Sequence, residues 1–146
     1  MRKVFLGSEA VGQGALTAHE LRRWNQRIFR DVYVPKQHKL SLSDRIEGAW
    51  LRSGRQGVVA GLAASALHGA QWIDDDVPIE LIWDNTRSPS GLVVRNETLD
   101  DDEITRVAGV PVTTRLRTAF DLGRLLDRDQ AVARLDALMW AQIFSV

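Results

Sequence analysis

The chain contains no cysteine, and among its 146 residues there are only three lysines and three histidines. Without cysteine there is no disulfide framework, no thiolate nucleophile and no cysteine-ligated zinc. The histidines, His19, His38 and His68, are scattered and lack metal-ligand spacing, so no metal is expected. The lysines, Lys3, Lys36 and Lys39, all lie in the first half. That placement excludes one tempting enzyme. "DDDVPIELIW" loosely suggests a restriction-type nuclease strand, but the chemistry needs a lysine two residues after the second acid, to stabilise the charged phosphate. Here Glu80 is followed by Ile82. A phosphate-cradling glycine loop fails as well, because "GSEAVGQGAL" has neither the P-loop lysine nor the dinucleotide spacing. No cofactor is implied.

Long apolar runs are also missing. Nothing approaches the roughly 18 residues needed to span a bilayer, and the apolar stretch of "MRKVFLGSEAVG" is too short for a signal peptide, so a cytoplasmic location is expected. Net charge is zero, yet it is unevenly laid out: residues 1 to 73 carry eleven Lys/Arg and five Asp/Glu, residues 74 to 146 eight and fourteen. A basic half joined to an acidic one points to an anion-binding lobe; the plain alternative is a dipolar protein with ordinary solvated faces. What is present, 45% apolar and 26% charged residues, suits a folded chain with one core or two small lobes.

Local signals give the organisation. Thr17 and Glu20 form a capping box that starts a helix through Leu21 and Trp24. Ile28, Phe29, Val32, Tyr33 and Val34 then read as an extended strand ended by Pro35. "SLSDRIEGAWLRSG" predicts a second helix, capped by Ser41, with Leu42, Ile46, Ala49 and Trp50 on one face and Gly54 as a left-handed stop. A short buried strand, Val58 to Ala60, precedes a small-residue helix carrying Leu62, Ala66 and Leu67. "VPIELIWDN", "SPSGLVVRNE" and "DDEITRVAGVPVTT" read as three strand segments of a meander or small mixed sheet, with Asp100, Asp101 and Asp102 in a loop. Two helices close the chain. Leu116, Ala119, Phe120 and Gly123 mark the apolar face of the first, Val132, Leu135, Leu138 and Met139 that of the second, and both are expected to pack on the sheet. The apolar end, Ile143, Phe144 and Val146, suggests an interface such as a homodimer contact. The fold class is α+β.

Two polar clusters are candidate sites. Arg22, Arg23, Arg27 and Arg30 surround Trp24 and are joined by Lys36 and Lys39, a pattern suited to nucleic-acid phosphates. Thr113, Thr114, Arg115 and Arg117 crowd a helix N-terminus that could hold an anion; alternatively the threonines cap the helix and Arg117 pairs with Asp121 four residues on. His68, in "ASALHGA", is either a hydrogen-bonded packing residue or a base. No nucleophile and base stand together, and no enzyme is expected.

The ordered set "ALTAHELRRW", "RDVYVP", "GVVAGLAASALHGA", "VPIELI", "GLVVRNE" and "GVPVTTRLRTAFDLG" resembles the N-terminal region of AbiEi-type antitoxin-like proteins of type IV toxin-antitoxin systems. It also resembles the same region of longer bacterial proteins that append a very-short-patch-repair-like endonuclease domain. The resemblance implies a winged-helix-like N-terminal lobe, residues 1–40, and an α+β domain, residues 41–146, in which a small mixed sheet packs with helices. In that family a second helix enters the major groove and a hairpin forms the wing. Between Trp24 and Ile28 only three residues remain, too few for a reading helix, so the lobe reads as degenerate and its DNA binding as weak and electrostatic. The function implied is a non-catalytic antitoxin-like regulator with a cognate toxin as partner. The alternative is a truncated accessory lobe working with a nuclease subunit.

Overall fold

The computed structural model describes residues 3–85 and 87–144, with side chains through residue 142. The first forty residues hold more than the helix and strand read above. A two-residue strand, β1 (Phe5–Leu6), leads into a short helix, α1 (Gly7–Gly12), ahead of α2 (Ala18–Trp24). The Thr17 capping box is in place, with Thr17 accepting from the Glu20 N–H and the Glu20 carboxylate from the Thr17 N–H. The following apolar run is two strands, not one: β2 (Asn25–Phe29) and β3 (Val32–Pro35) pair antiparallel about a turn at Arg30 and Asp31. Together with β1 they form a sheet of order β1-β3-β2. No helix stands between Trp24 and the hairpin, as the three-residue spacing requires. Two helices do precede the hairpin, and the helix taken as first is the second of the pair.

Asp31 explains why the turn was missed. It adopts φ 62°, and nothing local marks it as a glycine-type turn. Its carboxylate accepts from the backbone N–H and hydroxyl of Ser8, and its carbonyl from the Gly7 N–H. The turn is thus held by α1.

Helix α3 (Leu42–Arg52) forms as its pattern predicts, capped by Ser41 and followed by Gly54 at φ 68°. The rest is a five-stranded mixed sheet of order β6-β5-β4-β8-β7, built from β4 (Val58–Ala60), β5 (Ile79–Ile82), β6 (Leu92–Arg95), β7 (Ile104–Val107) and β8 (Val110–Thr113). Parallel pairs β5/β6 and β4/β8 alternate with antiparallel pairs β4/β5 and β7/β8. The segment read as one strand at 101–114 is a hairpin, and Asp101–Glu103 form a single 3-10 turn before it. Helix α4 (Gly61–Leu67) follows β4. Helices α5 (Arg115–Leu125) and α6 (Arg128–Phe144) end the described chain. No helix among the described residues is long and apolar enough to cross a membrane.

One core joins the two sheets. Val32 and Val34 from the first, Ile46 and Ala49 from α3, and Val59, Ile79, Leu81 and Val112 from the second form a continuous buried cluster. Each large aliphatic side chain so buried contributes roughly 1.5–3 kcal/mol against exposure.

The last two helices depart from expectation. Leu116 and Phe120 point outward, 82% and 60% exposed, whereas Thr118, Asp121 and Leu122 form the buried face of α5. On α6, Val132 and Met139 are exposed while Ala131, Ala137 and Leu138 are buried. Helix α5 reaches β8 and α4, and α6 packs against α5. The interface expected at Ile143, Phe144 and Val146 falls on side chains outside the described ones.

Gly61 is the tightest backbone position. It sits at φ 62°, and a Cβ there would lie 2.1 Å from Oε2 of Glu80. Gly54 has a similar φ, 68°, with nothing within 4 Å of the same atom. Gly61→Ala should therefore lose about 2–4 kcal/mol, the left-handed penalty plus overpacking, and Gly54→Ala only about 1 kcal/mol. Urea unfolding of both variants checks this. Equal losses would mean that Glu80 yields freely.

Candidate functional site

All six cations of the first cluster, Arg22, Arg23, Arg27, Arg30, Lys36 and Lys39, are exposed. None of them makes an ion pair or side-chain hydrogen bond within the described residues. Arg22 and Arg23 occupy the last turn of α2; Arg27 lies on β2 and Arg30 at the hairpin turn. The Lys36 N–H donates to the Trp24 carbonyl at 3.0 Å, which ties the end of α2 to the base of the hairpin. Arg23, Trp24, Pro35, Lys36 and Gln37 line a shallow groove of about 360 Å³ there. Arg30 stands at the other end of β2, so the cations form a strip along the hairpin. At about 3.3 Å per residue the strip runs roughly 15 Å, long enough to meet more than one phosphate of a duplex strand.

The second cluster is of another kind. Thr114 caps α5, its hydroxyl accepting from the Arg117 N–H at 3.2 Å, and the buried Thr113 and Thr118 hydroxyls lie 2.7 Å apart. Arg117 spends all three guanidinium nitrogens on carboxylates: Nε on Asp121 at 3.1 Å, Nη1 on Glu103 at 2.8 Å and Nη2 on Glu97 at 2.5 Å. Asp121 is only 1% exposed. It also accepts from Arg95 Nη2 at 2.9 Å and Arg124 Nε at 3.0 Å. Three guanidiniums thus enclose one carboxylate, with Glu97 bridging Arg117 and Arg124 on the outer side.

That geometry matches the capping and ion-pair alternative and engages every guanidinium nitrogen of Arg117 with a carboxylate of the chain itself. Burial alone would lower the Arg117 pKa, but its bonds to Glu103 and Asp121 outweigh this and raise it. The Arg117 bond holds Glu103 below the ordinary carboxylate range. Glu80, in contrast, is pushed upward by burial in spite of Arg95. Arg95 lies 3.4 Å from Glu80 and 3.2 Å from Glu97, yet its Nε and Nη1 are not angled to donate to either.

Sequence reasoning found Arg117 and Asp121 but missed Arg95, Glu97, Glu103 and Arg124. Two signals were available: Arg95 and Glu97 are two apart at a strand end, the spacing that puts side chains on one face, and Arg124 is three residues from Asp121 on a helix.

The histidines fall in three settings. His19 is exposed on α2, and Nε2 of His38 lies 2.7 Å from Asp44. His68 donates from Nε2 to the Thr113 carbonyl at 2.8 Å, so it acts as a packing residue beside the second cluster. Among the described residues no three potential ligands gather for a metal.

Comparison with known protein families, with curated proteins and with solved structures finds no match for this chain.

His68 carries a pH dependence. Burial lowers its pKa, the Thr113 bond works against this, and Arg115 lowers it further. An unfolded histidine keeps a pKa near 6.5. Below that value the unfolded chain takes up a proton before the folded one does, so stability is full above pH ~6.5 and falls as pH drops through the folded pKa. Urea midpoints between pH 7.5 and 5 should decline less in His68→Gln than in the parent chain. Parallel declines would remove His68 from the account.

Proposed function

We propose that this chain is a DNA-binding regulatory protein whose N-terminal lobe works as a compact winged helix-turn-helix. The observation that carries this reading is the lobe's arrangement: two helices, then an antiparallel hairpin, with six exposed cations that no carboxylate among the described residues neutralises. In this reading α2 is the helix presented to the groove and β2–β3 is the wing. The outer face of α2 bears Ala18, His19, Arg22 and Arg23, all exposed, at the i, i+3 and i+4 spacing of one helix side. Seven residues make a helix only about 10 Å long, so phosphate contacts along the hairpin dominate and sequence preference is slight.

The regulatory, antitoxin-like part of the proposal follows the sequence resemblance. Leu116 and Phe120 on α5 and Val132 and Met139 on α6 are all exposed, which supports action through a protein partner, since exposed apolar side chains on adjoining helices favour association.

The test is duplex binding across salt. Affinity should fall steeply from about 50 to 200 mM salt, and Arg22→Ala, Arg23→Ala and Arg27→Ala should each flatten the log–log slope by roughly 0.9. Unrelated duplexes should bind within about tenfold of one another. Absence of binding at ~50 mM salt, or tight binding to a single sequence that persists at ~200 mM, would overturn the reading.

A further inference from the structure

The chain just after α4 and the outer side of α6 enclose an open cleft of about 500 Å³ on the lobe opposite the basic strip in sequence. His68, Gly69, Gln71, Trp72, Trp140 and Ala141 contribute to its lining. Its volume is within the range of small-molecule sites. Two of its walls are indoles, Trp72 at 77% and Trp140 at 48% exposure. Indoles are the most costly residues to leave in water and the best flat platforms for a planar ring.

Trp72 is held in place at some strain. Its φ is 64°, a conformation that bulky L-residues rarely adopt and that persists only where the surroundings enforce it. Arg134 supplies part of that enforcement, donating from Nη1 to the Trp72 carbonyl at 2.8 Å. Arg115 does the like at the other end, donating from Nη2 to the His68 carbonyl at 3.1 Å. Neither arginine has a carboxylate partner among the described residues, and Nη1 of Arg115 is buried with no acceptor. This is the reverse of Arg95, Arg117 and Arg124, which are surrounded by carboxylates.

The polar groups of the lining are neutral. Gln71 offers an amide donor and acceptor. His68 spends its Nε2 proton on Thr113, which leaves the other ring nitrogen as a lone-pair acceptor. No carboxylate lines the cleft. A ligand that suits such a place has a flat heteroaromatic ring, an edge with both donors and acceptors, and an anionic group for the flanking cations.

We propose that this cleft binds a nucleotide, its base stacked on Trp72 and Trp140 and its phosphate turned toward Arg134, whose guanidinium holds the Trp72 carbonyl. The site is separate from the duplex-binding lobe and does not depend on that reading. The base could belong to a free nucleotide or to an unpaired residue of a single strand; the chemistry of recognition is shared.

Isothermal titration of the full chain with AMP, adenosine, a short adenine-rich single-stranded oligonucleotide and cellobiose decides the matter. AMP should bind saturably, adenosine more weakly, and cellobiose not at all. Trp72→Gly, which keeps the φ 64° backbone without strain and removes the ring, should weaken AMP at least about tenfold, as should Trp140→Ala. Arg134→Gln should bring AMP down to the level of adenosine. A strand that binds tenfold or more above AMP assigns the base to single-stranded nucleic acid; equal or weaker binding assigns it to the free nucleotide. Silence toward AMP and strand alike at millimolar concentration, binding of cellobiose alone, or an unchanged affinity in a folded Trp72→Gly variant would overturn the proposal.

Discussion

A carboxylate 1% exposed cannot stay charged in a protein interior without compensation, and Asp121 has that exposure. Arg95, Arg117 and Arg124 supply the compensation, from a strand end and from two neighbouring turns of the same helix. This grouping fixes the rotation of α5. The helix must turn Thr118, Asp121 and Leu122 inward, and two of its large apolar residues, Leu116 and Phe120, are carried to the outside as a consequence. Arg117 and Arg124 then lie against the Phe120 ring, at 5.9 and 5.2 Å from its centroid. Desolvating such a group of charges offsets much of the Coulomb attraction, so the network adds little net stability over an apolar contact of the same size. What it adds is direction, because any other rotation of α5 would leave buried guanidiniums facing no carboxylate.

Two groups of arginines differ in this respect. Those of the second half that pair with acids, Arg95, Arg117 and Arg124, are internal fasteners. Those of the N-terminal strip, together with Arg115 and Arg134 beside the Trp72 cleft, have no carboxylate partner among the described residues. Cations left without carboxylates keep their field for an outside anion, and a paired cation is largely screened by its neighbour. The uneven charge of the sequence therefore has a structural meaning. Four acids of the second half, Glu80, Glu97, Glu103 and Asp121, gather round the arginines that hold α5, while the six cations of the N-terminal strip face solvent.

Legibility in the sequence followed the range of the interactions. Helix α3 could be read because its cap, its apolar spacing and its Gly54 stop all lie within fourteen residues. The Thr17 box and the buried strand at Val58–Ala60 were equally local. The hairpin turn was not, since Asp31 is held by Ser8, 23 positions away, and α1 escaped notice because "GSEAVG" has two glycines and barely one and a half turns. Helix α5 was found, but with the wrong face inward. The apolar repeat of Leu116, Ala119, Phe120 and Gly123 is the ordinary sign of a core face, and only the arrival of Arg95 from β6, 26 positions from Asp121, makes the polar face the buried one. Of the candidate sites, the six cations of the strip are exposed. The Arg117–Asp121 pair was read as an open alternative, and its partners were missed because they come from three separate segments.

The most direct test of this account is hydrogen exchange, together with urea unfolding, on Asp121→Asn. The substitution keeps the side-chain shape and removes the charge that three guanidiniums share. Breaking a buried pair in this way typically costs about 3–5 kcal/mol, and here the loss should be concentrated in one place. Amides of α5 and α6 should exchange much faster than in the parent chain, with those of α3, β4 and β5 changing far less. A change in stability within about 0.5 kcal/mol, with exchange in α5 and α6 unaltered, would contradict the claim that Asp121 sets the orientation of the helical hairpin.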